Sequence, residues 1–334
     1  MTLTAPITTV GVFTTAQPAA VLPPLQTAVM VPCLNEGATI GDVISTFRMA
    51  IPECTVFVYD NGSTDGTPDI ARAAGAVVRI EPLKGKGNVV RRMFADVEAD
   101  VYVMVDGDST YDAGAAANLI HKLLSESLDM VTGVRVETDA AAYRRGHRFG
   151  NWLLTTLVAR IFGKRSSDML SGYRVMSRRF VKSFPALSSG FEIETELTVH
   201  ALQLRLPIAD VNTDYGERPV GSSSKLSTFK DGFRILNTIF QLVREEIPMF
   251  FFSCIAGLLA VGAIGISIPL FMEYTRSGLV PRLPTAVLAT GLALMAALSL
   301  MCGLVLGTVT RARNELKRLH YLGCSIRIDA RHRY

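Results

Sequence analysis

Two stretches near the C-terminal end, Met249–Met272 and Thr285–Val309, contain no Asp, Glu, Lys or Arg, and they constrain the chain more than any other feature. As helices rising about 1.5 Å per residue, each is long enough to cross the roughly 30 Å of hydrocarbon in a bilayer. The segment EYTRSGLVPRLP between them is too short for a domain, so 249–310 reads as a transmembrane hairpin. Core helices of soluble proteins, the competing reading, seldom run so far without a polar face. Lys225, Lys230, Arg234 and Arg244 precede the hairpin, and Arg311, Arg313, Lys317, Arg318, Arg327, Arg331 and Arg333 follow it. The positive-inside rule therefore puts both flanks in the cytoplasm and predicts a multi-pass protein of the inner or plasma membrane with both termini cytoplasmic.

Residues 229–247 repeat Phe233, Leu236, Ile239, Phe240 and Val243 at helical spacing, as an amphipathic helix at the membrane interface would, or one packed on the soluble part. Residues 311–334 read as a basic cytoplasmic tail facing anionic lipid. Residues 1–26 are rich in Thr, Ala and Pro, and no Lys or Arg occurs before Arg48, so they read as a disordered leader rather than a secretory signal. The five cysteines are scattered, two of them inside the spans, without disulfide or metal spacing. A net charge of +4 gives no case for nucleic acid as a partner.

Between the leader and the hairpin, apolar strand-like runs alternate with helix-like ones: AVMVPC, then IGDVISTFRMA; CTVFVYD, then PDIARAAG; AVVRIEP, then NVVRRMFADVE; DVYVMVD, then AGAAANLIHKLLSE; and DMVTGVRV. Such alternation predicts an α/β domain on a parallel, doubly wound sheet, with ligands outside the carboxyl ends of the strands. The unusual polar clusters fall at those ends: Asn35 and Glu36, Asp60 to Asp65, Lys84 to Lys86, and Asp106 to Asp108. Asp106 and Asp108 pair two hard oxygen donors after an apolar strand, which suits Mg²⁺ or Mn²⁺ shared with a diphosphate. Surface Asp pairs of purely structural use are the alternative. Asp60 fits hydrogen bonding to a base or ribose, or a capping turn. Lys84 and Lys86 sit in a glycine loop before a helix start, a place for phosphate or simply a solvated loop.

VPCLNE at 31–36, DNGSTDGT at 60–67, KGKGNVVR at 84–91, DGD at 106–108 and DMLSGYRVMSRR at 168–179 together resemble the family-2 glycosyltransferases related to dolichyl-phosphate mannose synthase and bacterial polyprenyl-phosphate glycosyltransferases. The resemblance spans roughly residues 27–245. It implies a Rossmann-like, mostly parallel GT-A domain over 27–228, and the paired spans match the bacterial members. It further implies that Pro32, Asn35, Glu36 and Asp60 line a nucleoside pocket, that Lys84 approaches the donor, and that Asp106 and Asp108 hold the ion. Many relatives carry Gln two residues after the second Asp, where this chain has Thr110, which leaves the third metal ligand open.

The implied reaction is inverting transfer of a hexose from a nucleotide sugar to a polyprenyl phosphate; a UDP-sugar is favoured, with GDP-mannose the other donor. Such an acceptor is largely a dianion at neutral pH and needs cations to hold it rather than a strong base. Arg144, Arg145 and Arg148 in YRRGHRFGN and Arg174 in SGYR offer them. By resemblance Arg148 and Arg174 contact the acceptor phosphate, with Ser171 assisting, while Arg144 and Arg145 are equally suited to facing lipid headgroups. Glu192 and Glu196, four apart, could orient these arginines or the sugar; Asp168 and Glu194 carry no assignment, and His147 and His200 read as structural. Residues 215–226 read as a loop that closes over the diphosphate. A homo-oligomer is compatible with all of this. Rival readings are a glycan-extending synthase, whose Q-x-x-R-W signature is absent around Trp152, and a silent nucleotide-binding scaffold, which has no reason to keep Asp106 and Asp108. The sequence does not identify the sugar.

Overall fold

The computed structural model describes residues 25–137, 155–156, 158–160, 167–216, 237 and 240–324. The predicted strands form within a residue or two of their apolar runs: β1 (Thr27–Cys33), β2 (Thr55–Asp60), β3 (Val77–Ile80), β4 (Val101–Met104) and β5 (Met130–Glu137). Between them lie α1 (Ile40–Ala50), α2 (Thr67–Ala73), α3 (Lys86–Asp96) and α4 (Ala116–Ser125). β6 (Arg174–Ser177), α5 (Arg178–Ser183), α6 (Ile193–Leu204) and β7 (Ile208–Tyr215) follow.

The seven-stranded sheet runs β3-β2-β1-β4-β6-β5-β7. β3, β2, β1 and β4 pair in parallel, as do β5 and β7. β6 lies antiparallel between β4 and β5, with Val101 opposite Ser177 and Met130 opposite Met176. The sheet is therefore mostly parallel, as the resemblance implies, with the RVMS strand as its one antiparallel member among the described residues.

Strand period two sorts the core into halves. Ala28 and Met30 of β1, with Tyr102 and Met104 of β4, face Val90, Met93 and Phe94 of α3 and Ile193 and Leu197 of α6. Val29 and Val31, with Val101 and Val103, face Ile44 and Phe47 of α1 and Leu119 and Leu123 of α4. With both faces covered, the carboxyl ends of the strands are left for ligands.

The C-terminal pair is α7 (Pro248–Ser277) and α8 (Leu283–Gly323). Only 11% of the most apolar window of each helix is buried, which is the reverse of a soluble core helix. Apart from Pro248, the buried residues are small and seven apart: Ala256 and Ala263 on α7, and Ala289, Ala296 and Gly303 on α8. Small residues at that period let two helices approach along one seam, while Leu258, Phe271, Leu298 and Met301 point outward.

α8 does not end with the apolar stretch. Residues 311–323, expected as part of a basic tail, continue the helix and dock on the α/β domain. Arg313 pairs with Glu246 at 2.8 Å, Lys317 donates to Gln203 at 2.9 Å, and Tyr321 donates to Asp129 at 2.6 Å, with the Arg179 guanidinium 4.2 Å from the Tyr321 ring centre. The reason is local: Asp129 is 1% exposed and needs donors, which Ser177, Arg179 and Tyr321 supply. Of the segment predicted as an interfacial helix, residues 240–246 are helical, and 229–236 lie outside the described residues.

Candidate active site

A cavity of about 370 Å³ opens at the carboxyl ends of β1 and β4. Pro32, Glu36, Lys84, Asp106 and Asp108 line it, so five of the residues singled out from the sequence meet in one place. Asn35 and Asp60 are not among the wall residues. Asn35 sits at φ 51° and stitches loops, its amide donating to Ser63 Oγ at 2.7 Å and its Oδ1 accepting from Thr64 N at 2.8 Å. Asp60 is 2% exposed; its Oδ2 accepts from Gly62 and Ser63 N, while its Oδ1 has no partner among the described residues. A buried acceptor left open in this way has room for one N–H or O–H donor.

The glycine loop turns sharply at Gly85, φ 121°, where a Cβ would lie 2.2 Å from Ser189 O; only glycine fits. Lys84 then folds back, with Nζ donating to Asn61 O at 2.7 Å. Lys86, placed with Lys84 in a loop suited to phosphate or to solvent, reaches into the cavity and bonds both Asp106 Oδ1 and Glu194 Oε1 at 2.5 Å. Burial by itself lowers the Lys86 ammonium, but the Asp106 and Glu194 carboxylates outweigh it and hold the group cationic. Burial pushes the Glu194 carboxyl up, with Lys86 pulling against it. Of the three glutamates in GFEIETEL, it is therefore Glu194 that faces Asp106; Glu192 and Glu196 lie on the other side of α6.

Asp108 is 4% exposed, and its Oδ1 accepts from the Thr110 hydroxyl at 2.6 Å. Thr110 thus orients a carboxylate where a third ligand was in question. Asp106, with 29% of its side chain exposed, faces the cavity from above Gly172. Among the described residues no cluster of three His, Cys, Asp or Glu forms a closed metal cage. Two carboxylates on an open cavity nevertheless suit an ion such as Mg²⁺ or Mn²⁺, which takes its remaining oxygens from phosphates and water.

The acceptor cations fall differently from expectation. Arg174 is 0% exposed and lies beneath the cavity, its guanidinium donating to Ser171 O, Met169 O, Glu194 O and Thr198 Oγ1. Ser171 is equally buried and donates to Gly133 O at 2.6 Å. Both hold the floor together, and neither belongs to the cavity wall; β6 runs inward here, so SGYR points into the core. Arg148, with Arg144, Arg145 and His147, lies outside the described residues, as does most of the 215–226 loop. Among the described residues the guanidinium on the wall is Arg135 of β5, clamped by Asp168 at 2.6 and 2.8 Å and 5.5 Å from the Tyr215 ring centre. Burial raises the Asp168 carboxyl, but the bonds from Arg135 outweigh this and hold it below its ordinary value. Arg135 stood in a predicted strand, DMVTGVRV; its place late on a strand, near the ligand end, was the available signal.

A mostly parallel α/β sheet whose strand ends present paired aspartates and several cations to one cavity defines a GT-A-type transferase domain. The chain belongs to glycosyl transferase family 2: the pattern described as "Glycosyl transferase family 2" matches residues 28–184. It is 35% identical over 248 residues to glycosyltransferase AglJ of Haloferax volcanii, covering 74% of this chain and 80% of that one. It is 27% identical over 219 residues to the dolichyl-phosphate hexose transferase of Haloferax volcanii, covering 66% of this chain and 94% of that one. Among solved structures, glucosyl-3-phosphoglycerate synthase from Mycobacterium tuberculosis in complex with Mn²⁺, uridine-diphosphate and phosphoglyceric acid aligns with a TM-score of 0.54 and 27% identity, over 66% of this chain and 78% of that one.

Proposed function

We propose that this glycosyltransferase moves a hexose from a nucleoside-diphosphate sugar to a polyprenyl phosphate at the cytoplasmic face of the membrane, with inversion at the anomeric carbon. The observation that carries the proposal is one cavity holding the Asp106–Asp108 pair together with Arg135, Lys84 and Lys86, on a chain with two helices apolar and exposed enough to span a bilayer. The names of two similar proteins support it: one is a dolichyl-phosphate hexose transferase, and the other is seen with Mn²⁺, UDP and a phosphate-bearing acid.

In this reading Pro32, Glu36 and Lys84 frame the nucleoside diphosphate, with Asn35 and Asp60 shaping the pocket behind them. Asp106 and Asp108 hold a divalent ion, which when bound supplies Lewis-acid neutralisation of the leaving diphosphate. Arg135, held rigid by Asp168, presents a planar fork of donors to the acceptor phosphate, and Arg148 is a second candidate for that duty. A phosphate monoester dianion needs no strong base. The two carboxylates nearest the reacting centre, Asp106 and Glu194, are both tied to Lys86. That leaves the acceptor itself as the nucleophile, hence a single displacement.

The test is to incubate the purified full-length protein with Mg²⁺ or Mn²⁺, undecaprenyl phosphate and a panel of UDP- and GDP-sugars, and to extract the lipid. One lipid-linked hexose is expected. Transfer only to soluble acceptors, or a trapped glycosyl-enzyme adduct, refutes the acceptor or the single displacement respectively.

A further inference from the structure

A second cavity, of about 180 Å³, lies on the far side of α6 from the active site. Glu194 looks into the first cavity, whereas Glu196, His200 and Gln203 of the same helix line the second. Its opposite wall is made of Glu245 and Glu246, just before the first span, and Arg313 and Lys317, just after the second. Because α7 begins at Pro248 and the charge-free part of α8 ends at Val309, this wall lies at the level of lipid headgroups.

The polar groups around the cavity do not satisfy one another. Lys317 donates to Gln203 Oε1 at 2.9 Å and, among the described residues, is within ion-pair distance of no carboxylate. Arg313 uses one nitrogen on Glu246, while its Nε is buried with no partner among the described residues. His200 is 1% exposed and neither ring nitrogen has a partner among the described residues; burial, then the charge of Lys317, keep it neutral, so one of those nitrogens carries a hydrogen to donate. A buried donor left unmade is costly, and two at one cavity, beside the Lys317 ammonium, call for a ligand rich in acceptors. The carboxylates are better served. Glu196 accepts from the amides of Leu187 and Ser188 at 2.9 and 2.8 Å, and Glu245 and Glu246 lie within 4.0 and 2.8 Å of Arg313. An anion alone would meet four glutamates here, counting Glu192, and a cation alone would meet Lys317 and Arg313. A zwitterion with a phosphate and a primary ammonium matches both sets of walls.

We propose that this cavity binds the aminophosphate headgroup of a membrane phospholipid, with its phosphate at Lys317, Arg313 and His200 and its ammonium toward the glutamates. The acyl chains then lie along the exposed apolar faces of α7 and α8. The site is separate from the sugar-transfer reading and stands or falls without it. Segment 185–192 forms part of its wall and also packs on the active-site loop, with Gly87 N donating to Ser189 O at 3.0 Å and Arg91 Nε to Ala186 O at 2.7 Å. An occupant would therefore brace the loop that carries Lys86.

The experiment is native mass spectrometry of the full-length protein in detergent, with equimolar phosphatidylethanolamine, phosphatidylcholine and phosphatidylglycerol. The expected result is one retained phosphatidylethanolamine, favoured at least about tenfold over the others, a difference of ~1.4 kcal/mol. Lys317→Met should abolish the preference. Gln241→Trp, which fills the cavity from an exposed position and gives up only the 3.1 Å bond from Gln241 Nε2 to Glu245, should do the same with the melting temperature unchanged. Equal retention of all three lipids, or an undiminished preference in both variants, overturns the proposal. So does soluble phosphoethanolamine binding as tightly as the lipid, since the ligand would then be the free headgroup.

Discussion

Gly172 packs its backbone directly against Asp106, and Gly172→Ala turns that closeness into a measurement. A Cβ there would lie 2.4 Å from Asp106 Oδ2 and 2.9 Å from its Cγ. Neither partner can yield cheaply. The Gly172 amide donates to Tyr111 Oη at 2.9 Å, and Asp106 Oδ1 is held at 2.5 Å by Lys86, itself tied to Glu194. Restoring an ordinary contact moves the carboxylate by about 1 Å, and a misplacement of that size at a reacting centre costs on the order of 100-fold in rate, or about 2.7 kcal/mol of transition-state stabilisation. The assay is kcat/KM for lipid-linked sugar formation, alongside Mn²⁺ affinity in the presence of UDP and the melting temperature. Both activity and metal affinity should fall while the fold stays intact. Gly41→Ala serves as the control: its Cβ meets only Ile70 at 3.6 Å, on a helix where alanine is favoured by roughly 1 kcal/mol. A Gly172→Ala enzyme with wild-type turnover and metal affinity would show that Asp106 does not act where the structure puts it.

Thr110→Val removes the 2.6 Å bond to Asp108 and should weaken Mn²⁺–UDP binding about tenfold by calorimetry, with Thr110→Ser restoring it; equal weakening by both variants would point to packing instead. Arg174→Met strands the carbonyls of Ser171, Met169 and Glu194 and should lower stability by at least about 3 kcal/mol, seen as a loss of folded protein rather than a raised KM for the lipid. His200 has its pKa depressed to about 3 by burial first and Lys317 second, below its unfolded value of about 6.5. The unfolded chain therefore takes up a proton that the folded one refuses, and stability falls between about pH 6.5 and 3 by up to ~1.4 kcal/mol per unit. His200→Phe should flatten that part of the melting-temperature profile, and an unchanged slope would assign it to other groups.

Much of the α/β domain was legible because strands buried on both faces write themselves as short apolar runs, and β1 to β5 fall inside AVMVPC, CTVFVYD, AVVRIEP, DVYVMVD and DMVTGVRV or within a residue of them. Their carboxyl ends could then be read for Glu36, Lys84, Asp106 and Asp108, all of which share one cavity. What was not legible depends on strand order and side-chain direction. SGYR looked like an acceptor motif, yet β6 inserts antiparallel between β4 and β5 and carries Arg174 into the floor. Three glutamates spaced two apart, one capping α6 and two in its first turn, divide between opposite faces, but only the packing shows that Glu194 takes the cavity side. Arg135 was hidden because a charged residue late in a strand reads equally well as an edge or a ligand group. The continuation of α8 was missed for a related reason: its basic residues suit a headgroup surface as well as a docked helix.

That continuation has a mechanical consequence. A single helix of 41 residues measures about 60 Å, twice the hydrocarbon depth of a bilayer, and its far end is bolted to Asp129 through Tyr321. With the apolar part of α8 in a bilayer, as proposed, the domain would stand on a stiff mast, its standoff from the lipid set by residue count. Splicing one alanine in after Arg311 would swivel Tyr321 by about 100° and break its register with Asp129, whereas seven would bring it back within about 20° of its bearing while lengthening the mast by ~10 Å. Such insertions would use the helix itself as a gauge of how far above the lipid the sugar is handed over.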